Sequence, residues 1–254
     1  MVLPNRSVLK MLAALAAGAV LTACNYGSSD LYIPTGTNPS GFYTGTRVSA
    51  VSGVAVDVVA LVSASGEFRI VDPASHSQFV AALSFADDTL QDPLTGYAAP
   101  GTVFPDKSTV CNGTVSGAVQ PGSTIRGSYA CGGDHGTFSL LYDASTSLQS
   151  PAGRFPVIGV LGGIRPGDVL FLALRSDGAI AGSDSDGCTY AGQMSVIDPL
   201  INVYAVTSGQ TCGKQIHVFT GLATFGFIRN TADQALYLAL SGSATSIAAA
   251  LPYQ

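Results

Sequence analysis

The 254-residue chain contains no Trp and a single Glu, Glu67, and charged side chains make up only 11% of it. Ordinary soluble domains carry near 25%. A helical bundle is therefore a poor fit, because exposed helical faces are usually rich in Glu and Lys. A basic footprint is missing too: 11 Lys plus Arg stand against 16 Asp plus Glu, and the pI is about 4.9. That argues against nucleic acid as a partner. Disorder does not fit either, since hydrophobic residues make up 47% and the net charge is -5. Outside the N-terminus no apolar run reaches the length that spans a bilayer as a helix.

What the chain does have begins with a leader. Arg6 and Lys10 form a positive region, Met11 to Leu21 an apolar one, and Thr22 and Ala23 are small. This is the architecture of a secretory signal peptide, and it is too short to cross a membrane. Leu21-Thr22-Ala23-Cys24 resembles the lipobox of bacterial lipoproteins. The resemblance implies cleavage before Cys24, lipid on its sulfur, and anchoring to a membrane; Asn25 after the Cys favours the outer membrane over the inner one. The expected order is then a signal peptide over 1–23 and a lipidated, flexible tether over 24–40, rich in turn formers.

The other cysteines, Cys111, Cys131, Cys188 and Cys212, form an even set in an exported chain, which reads as two disulfides. Three connectivities exist. The spacings favour Cys111–Cys131 and Cys188–Cys212, each closing a strand-turn-strand loop. No C-x-x-C or Cys-His spacing points to a metal, and no cofactor is expected.

Period-two alternation runs through most of the mature chain. Strands are expected from Gly41 to Arg47, Val54 to Val62, Glu67 to Val71, Gln78 to Phe85, Thr109 to Val119, Thr124 to Ala130 and Thr137 to Tyr142. A second set covers Val169 to Arg175, Ala179 to Gly182, Cys188 to Ile197, Ile201 to Thr207, Ile216 to Ile228 and Ala235 to Leu240. Turn signals recur at the spacing of a barrel or sandwich. The fold expected is all-β: two small antiparallel barrel-like modules in tandem, over 41–143 and 153–243, each with one disulfide. A linker falls at 144–152 and a tail at 244–254, where Ile247 to Leu251 reads as a short helix or a frayed end. The rival is one larger barrel or sandwich drawing strands from both halves. A porin-type barrel fits less well, since a lipid anchor would be redundant for it. The halves are loosely alike, each with a Ser-Gly or Asp-Gly hairpin (Ser65-Gly66, Asp177-Gly178) followed by a Cys-bounded pair of strands.

Gly187-Cys-Thr-Tyr-Ala-Gly-Gln-Met-Ser-Val-Ile-Asp-Pro199, then Asn202-Val-Tyr204 and Cys212, resembles a pattern in exported proteobacterial lipoproteins of unknown function. Gly41-Phe-Tyr-Thr-Gly45 is similar to their opening strand, and also to that of avidin-like and lipocalin-like barrels. The resemblance implies a small barrel and an envelope location, and attaches no activity.

Candidate chemistry is sparse. Asp134-His135, within Cys-Gly-Gly-Asp-His-Gly, offers a base and its orienter, the basis of an alternative reading as an envelope hydrolase. A Gly-rich turn accounts for the same residues. No G-x-S-x-G or H-E-x-x-H occurs, and the one S-x-x-K, Ser7 to Lys10, lies in the leader. Asp184-Ser-Asp186-Gly187 resembles part of a calcium loop but lacks its Glu, and reads as an Asp-Gly turn. Arg47, Arg69 and Arg126 each sit opposite the larger apolar residues of a strand. If that face lined a lumen they would form an anion pocket, and otherwise they face solvent. Together these features favour a non-catalytic binding or structural lipoprotein over an enzyme. Its expected partners are the membrane, through the lipid, and an envelope protein, glycan or small ligand.

Overall fold

A computed structural model describes residues 38–83, 89–149, 154–229 and 231–254, with the backbone alone at 92. The leader, Cys24 and most of the tether lie outside the described residues. The last tether residues, 38–40, are held by the fold rather than free: Ser40 is buried, and the Tyr43 hydroxyl donates to the Pro39 carbonyl at 2.7 Å.

The first module is a closed antiparallel meander of β1 (Gly41–Ser49), β2 (Ala55–Val62), β3 (Glu67–Asp72), β4 (Ser77–Ala82), β5 (Thr89–Tyr97), β6 (Val110–Gln120), β7 (Thr124–Cys131) and β8 (Asp134–Tyr142). It closes where β8 pairs with β1, from Tyr43↔Tyr142 to Ser49↔Gly136. Alternation dictates the lumen. Tyr43, Phe68, Ile70, Phe79, Val115, Ile125, Phe138 and Leu140 point inward and fill it. Gly45, Gly117 and Gly136 lie where a Cβ would stand within 2.1 Å of a neighbouring strand's carbonyl oxygen, so glycine permits this tight curvature.

The second module runs β9 (Ile158–Arg165), β10 (Asp168–Leu174), β11 (Ala179–Asp184), β12 (Thr189–Val196), β13 (Tyr204–Cys212), β14 (Gln215–Phe227), β15 (Gln234–Ser241) and β16 (Ser246–Pro252). Its lumen holds Leu170, Leu172, Tyr190, Met194, Tyr204, Phe225, Leu238 and Leu251. This barrel is nearly closed. Among the described residues, β9 and β16 share the bridge Val160↔Tyr253 and a bond from Gln254 N–H to the Gly159 carbonyl. The tandem all-β architecture is thus as expected, and among the described residues no sheet mixes strands of the two halves.

Two expected boundaries change. The stretch from Ser246 to Pro252 is a strand, not a helix or frayed tail, and it completes the second module. Five residues are too short to sustain an isolated helix, whereas pairing with β15 buries Ile247, Ala249 and Leu251 in the lumen. The expected linker starts as a docked turn, α1 (Ala144–Ser147), capped by Asp143, whose Oδ1 accepts from Thr146 N–H at 3.0 Å. Ser147 is buried, and its hydroxyl accepts from Phe42 N–H at 2.8 Å. The likeness of the halves does not extend to strand order. Cys111 and Cys131 lie on the sixth and seventh strands of their barrel, whereas Cys188 and Cys212 bound the fourth and fifth of theirs.

A third apolar cluster joins the modules. Phe42, Val59, Leu61 and Val71, on the outer face of the first barrel, meet Leu222, Tyr237, Ala239 and Ala248 of β14 to β16, with Ile201 and Val203. Around it, side chains of the first module donate to carbonyls of the second. Arg69 reaches Thr220, Gln78 reaches Leu240, Tyr97 reaches Gly242, and His76 Nδ1 reaches Ala248 at 2.9 Å. The His76 contact satisfies a carbonyl of β16 beside the incompletely paired seam, which edge groups require when covered. His76 holds φ 63° to make it, an uncommon conformation for a residue other than glycine.

Candidate binding site at the mouth of the second barrel

Both expected disulfides are present, Cys111–Cys131 and Cys188–Cys212. The first closes the end of its barrel, packed against Phe104 from the β5–β6 loop. Here Arg47 enters the lumen. Its guanidinium lies 5.2 Å from the Phe79 ring centroid and 5.4 Å from that of Tyr129, and Nη1 donates to the Tyr129 hydroxyl at 2.8 Å. That hydroxyl donates to Asp134 Oδ2 at 2.8 Å, and Ser49 donates to Oδ1 at 2.7 Å. Burial pushes the Tyr129 phenol up to about 12.

The three arginines do not converge. Arg47 lines the first lumen and is engaged there, Arg69 is buried between the modules, and Arg126 is exposed. Alternation on curved strands sends them to three different environments, so they form no anion pocket. Asp134 and His135 also part. As neighbours on β8 they point to opposite faces, Asp134 toward Arg47 and Tyr129 and His135 into solvent. The base–orienter arrangement of the hydrolase alternative is not assembled.

The structure instead brings together residues at the disulfide-bearing mouth of the second barrel. A cavity of about 480 Å³ opens there, between the strand ends of β9, β12, β13, β14 and β16 and the β5–β6 loop of the first module. It lies within the roughly 300–1,000 Å³ range of small-molecule sites. Its floor is a cross-strand pair, Tyr190 opposite Gln210, in which Gln210 Nε2 donates to the Tyr190 hydroxyl at 2.6 Å. Tyr190 in turn donates to Asp184 Oδ2 at 2.8 Å, and burial with Asp184 beside it drives the phenol well above its ordinary range. The phenol is therefore a fixed donor to Asp184, and Gln210 keeps its amide oxygen and its second N–H.

At the rim Arg165 pairs with Asp168 at 2.8 Å and with Asp186. Asp168 Oδ1 also accepts from the Ser185 hydroxyl at 2.6 Å. The Asp-Gly turn is formed as read, with Asp184 Oδ1 accepting from Cys188 N–H at 2.8 Å. The carboxylates of Asp184 and Asp186 are thus taken up by protein partners. His217 stands exposed on the wall, and Tyr97, Pro100, Ile164, Phe219 and Ile247 supply its apolar part.

Neither Tyr190 nor Gln210 stands out in the sequence alone. Tyr190 lies inside the quoted Gly187–Pro199 stretch, and the missing signal was register: pairing β12 with β13 sets a glutamine against it on a largely apolar inner face. Searched against protein-family models, curated proteins and solved structures, the chain matches none of them significantly.

Proposed function

We propose that this protein is a lipid-anchored envelope lipoprotein that binds a small ligand without transforming it, the ligand seated at the mouth of its second barrel. The observation that carries the binding role is the cavity between the modules, lined by an amide–phenol pair, hydroxyls, aliphatic side chains and a guanidinium already paired with two carboxylates. Convergent polar groups on an apolar wall define a recognition site. The anchor rests on the leader and on Leu21-Thr22-Ala23-Cys24; two disulfides accord with an oxidising envelope compartment. The resemblance of Gly187–Pro199 to exported proteobacterial lipoproteins points the same way, and Asn25 favours the outer membrane.

Two measurements test this reading. A lipid precursor fed to cells labels the wild type and not Cys24→Ala; equal labelling removes the anchor. A thermal-shift screen of small molecules on the wild type and on Ala99→Trp, which fills the cavity from the β5–β6 loop, finds stabilisers of the wild type alone. A screen that stabilises neither protein, or both alike, refutes the site.

A further inference from the structure

We infer that the cavity takes a neutral, hydroxyl-rich ring compound with one apolar face, the chemistry of a sugar at the end of a glycan; this rests on the binding role proposed above. The charge inventory decides the class. Apart from the solvent-exposed His217 imidazole on the wall, Arg165 is the one ionisable basic side chain of the lining, and Asp168 and Asp186 both hold it. An anionic ligand would compete with those carboxylates for one guanidinium. A cationic ligand meets no uncommitted carboxylate: Asp184 is engaged by Tyr190 and by Cys188 N–H, and Asp168 by Ser185 and Arg165. A neutral ligand faces neither cost.

The polar groups left over suit hydroxyls. Gln210 is 9% exposed and spends one amide hydrogen on Tyr190, so its oxygen and remaining N–H form an acceptor–donor pair at the floor. That pair matches two adjacent hydroxyl groups, each of which both donates and accepts. Gln215, Thr245 and Ser246 add further amide and hydroxyl groups around the wall. Toward Ile164 and Ile247, away from the Val160↔Tyr253 bridge, no further β9–β16 pairing occurs among the described residues, so strand-edge backbone groups lie beside the same space. The Tyr97 ring at the end of β5 and the Pro100 ring of the β5–β6 loop, also in the lining, offer an apolar surface for the C–H face of a sugar ring. A long aliphatic ligand fits less well. The lumen below Tyr190 is packed with Leu170, Leu172, Leu238 and Leu240 around a void of only about 10 Å³.

The test is calorimetric titration of the purified, disulfide-intact protein with three panels: neutral oligosaccharides, uronic-acid oligosaccharides, and medium-chain fatty acids. Neutral oligosaccharides are expected to bind. Gln210→Leu should weaken them by about tenfold, the equivalent of one well-placed hydrogen bond, with the unfolding midpoint measured alongside. Ala99→Trp should abolish binding from the opposite side of the cavity, so a folding defect in one variant does not leave the question open. If fatty acids or uronic acids bind instead, and Ala99→Trp abolishes that binding, the sugar assignment falls while the binding role stands. Neutral saccharides binding both variants as tightly as the wild type would place the sugar site elsewhere and overturn the inference. If no panel binds, the sugar inference fails, and the thermal-shift screen alone decides whether the site beneath it stands.

Discussion

Replacing Arg69 by Met tests whether the two barrels are one folding unit. Arg69 is 3% exposed. Its Nε lies 2.5 Å from Glu67 Oε1, while Nη1 donates to the Ser241 hydroxyl at 3.1 Å and Nη2 to the Thr220 carbonyl at 3.2 Å, both across the interface. Methionine keeps most of the aliphatic stem, so the loss is mainly that of the guanidinium. Two charge-assisted bonds at about 1.5–3 kcal/mol each set the upper range. Glu67 is about a third exposed and regains water once its partner is gone, which lowers the net cost. Removing one partner of a buried pair costs about 3–5 kcal/mol, and with Glu67 resolvated about 3 kcal/mol is expected. In a domain pair of this size that lowers Tm by roughly 6–12 °C. Urea unfolding followed by far-UV circular dichroism reads the effect, with Arg126→Met, an exposed arginine, as the control expected to cost under about 0.5 kcal/mol. Gly221→Ala attacks the same contact from the other side. A Cβ there would lie 2.7 Å from Arg69 Cζ and 2.1 Å from the Ala239 carbonyl oxygen, so it should destabilise at least as much. A cost below about 1 kcal/mol for Arg69→Met would show that the interface does not depend on its buried ion.

The sequence carried a signal for this interface that strand counting passes over. Strands with one wet face alternate, as β7 does through Ile125, Tyr129 and their exposed neighbours. Val58 to Val62 of β2, Ala235 to Leu240 of β15 and Ala248 to Leu251 of β16 are apolar without a break, and continuous apolar strands are buried on both sides. Those strands supply more than half of the third core, including Val59, Leu61, Tyr237 and Ala248. Thirteen strands were legible from alternation and turn residues; β5, β9 and β16 were not, and each hides its pattern differently. In β5, Pro93 interrupts the run, yet it lies one residue past Leu94, the last β4 partner, where a missing N–H spares that ladder. In β9, Gly159, Gly162 and Gly163 remove the side chains that would show alternation, and in β16 alanines do the same. The disulfides were readable because loop closure depends on spacing alone. The cavity was not, because it joins a loop of one module to strand ends of the other, about a hundred residues away along the chain.

Two predictions remain. With a protease site placed between Gln149 and Arg154, cleavage should leave the halves together on native size exclusion, held by the third core and the Arg69, His76, Gln78 and Tyr97 contacts, and release them only in denaturant. Separation under native conditions would mean that each barrel stands alone. The last prediction concerns pH. Burial pushes Tyr129, Tyr237 and Tyr253 up to about 12, and Tyr43 and Tyr190 further. A phenol whose folded value lies above its unfolded value of 10 adds stability that is complete below pH 10 and is lost as pH rises through 12. A shift from 10 to about 12 is worth at most about 2.7 kcal/mol, and the larger shifts of Tyr43 and Tyr190 more, less in each case where solvent reaches the ring. Several together approach the roughly 5–15 kcal/mol that holds a domain folded. The protein should therefore keep its fold at pH 10 and unfold cooperatively between about pH 10 and 12. Absorbance at tyrosinate wavelengths should show these five of the ten tyrosines ionising only as the circular dichroism collapses. All ten titrating together near pH 10 in a folded protein would show that these phenols are not buried in solution.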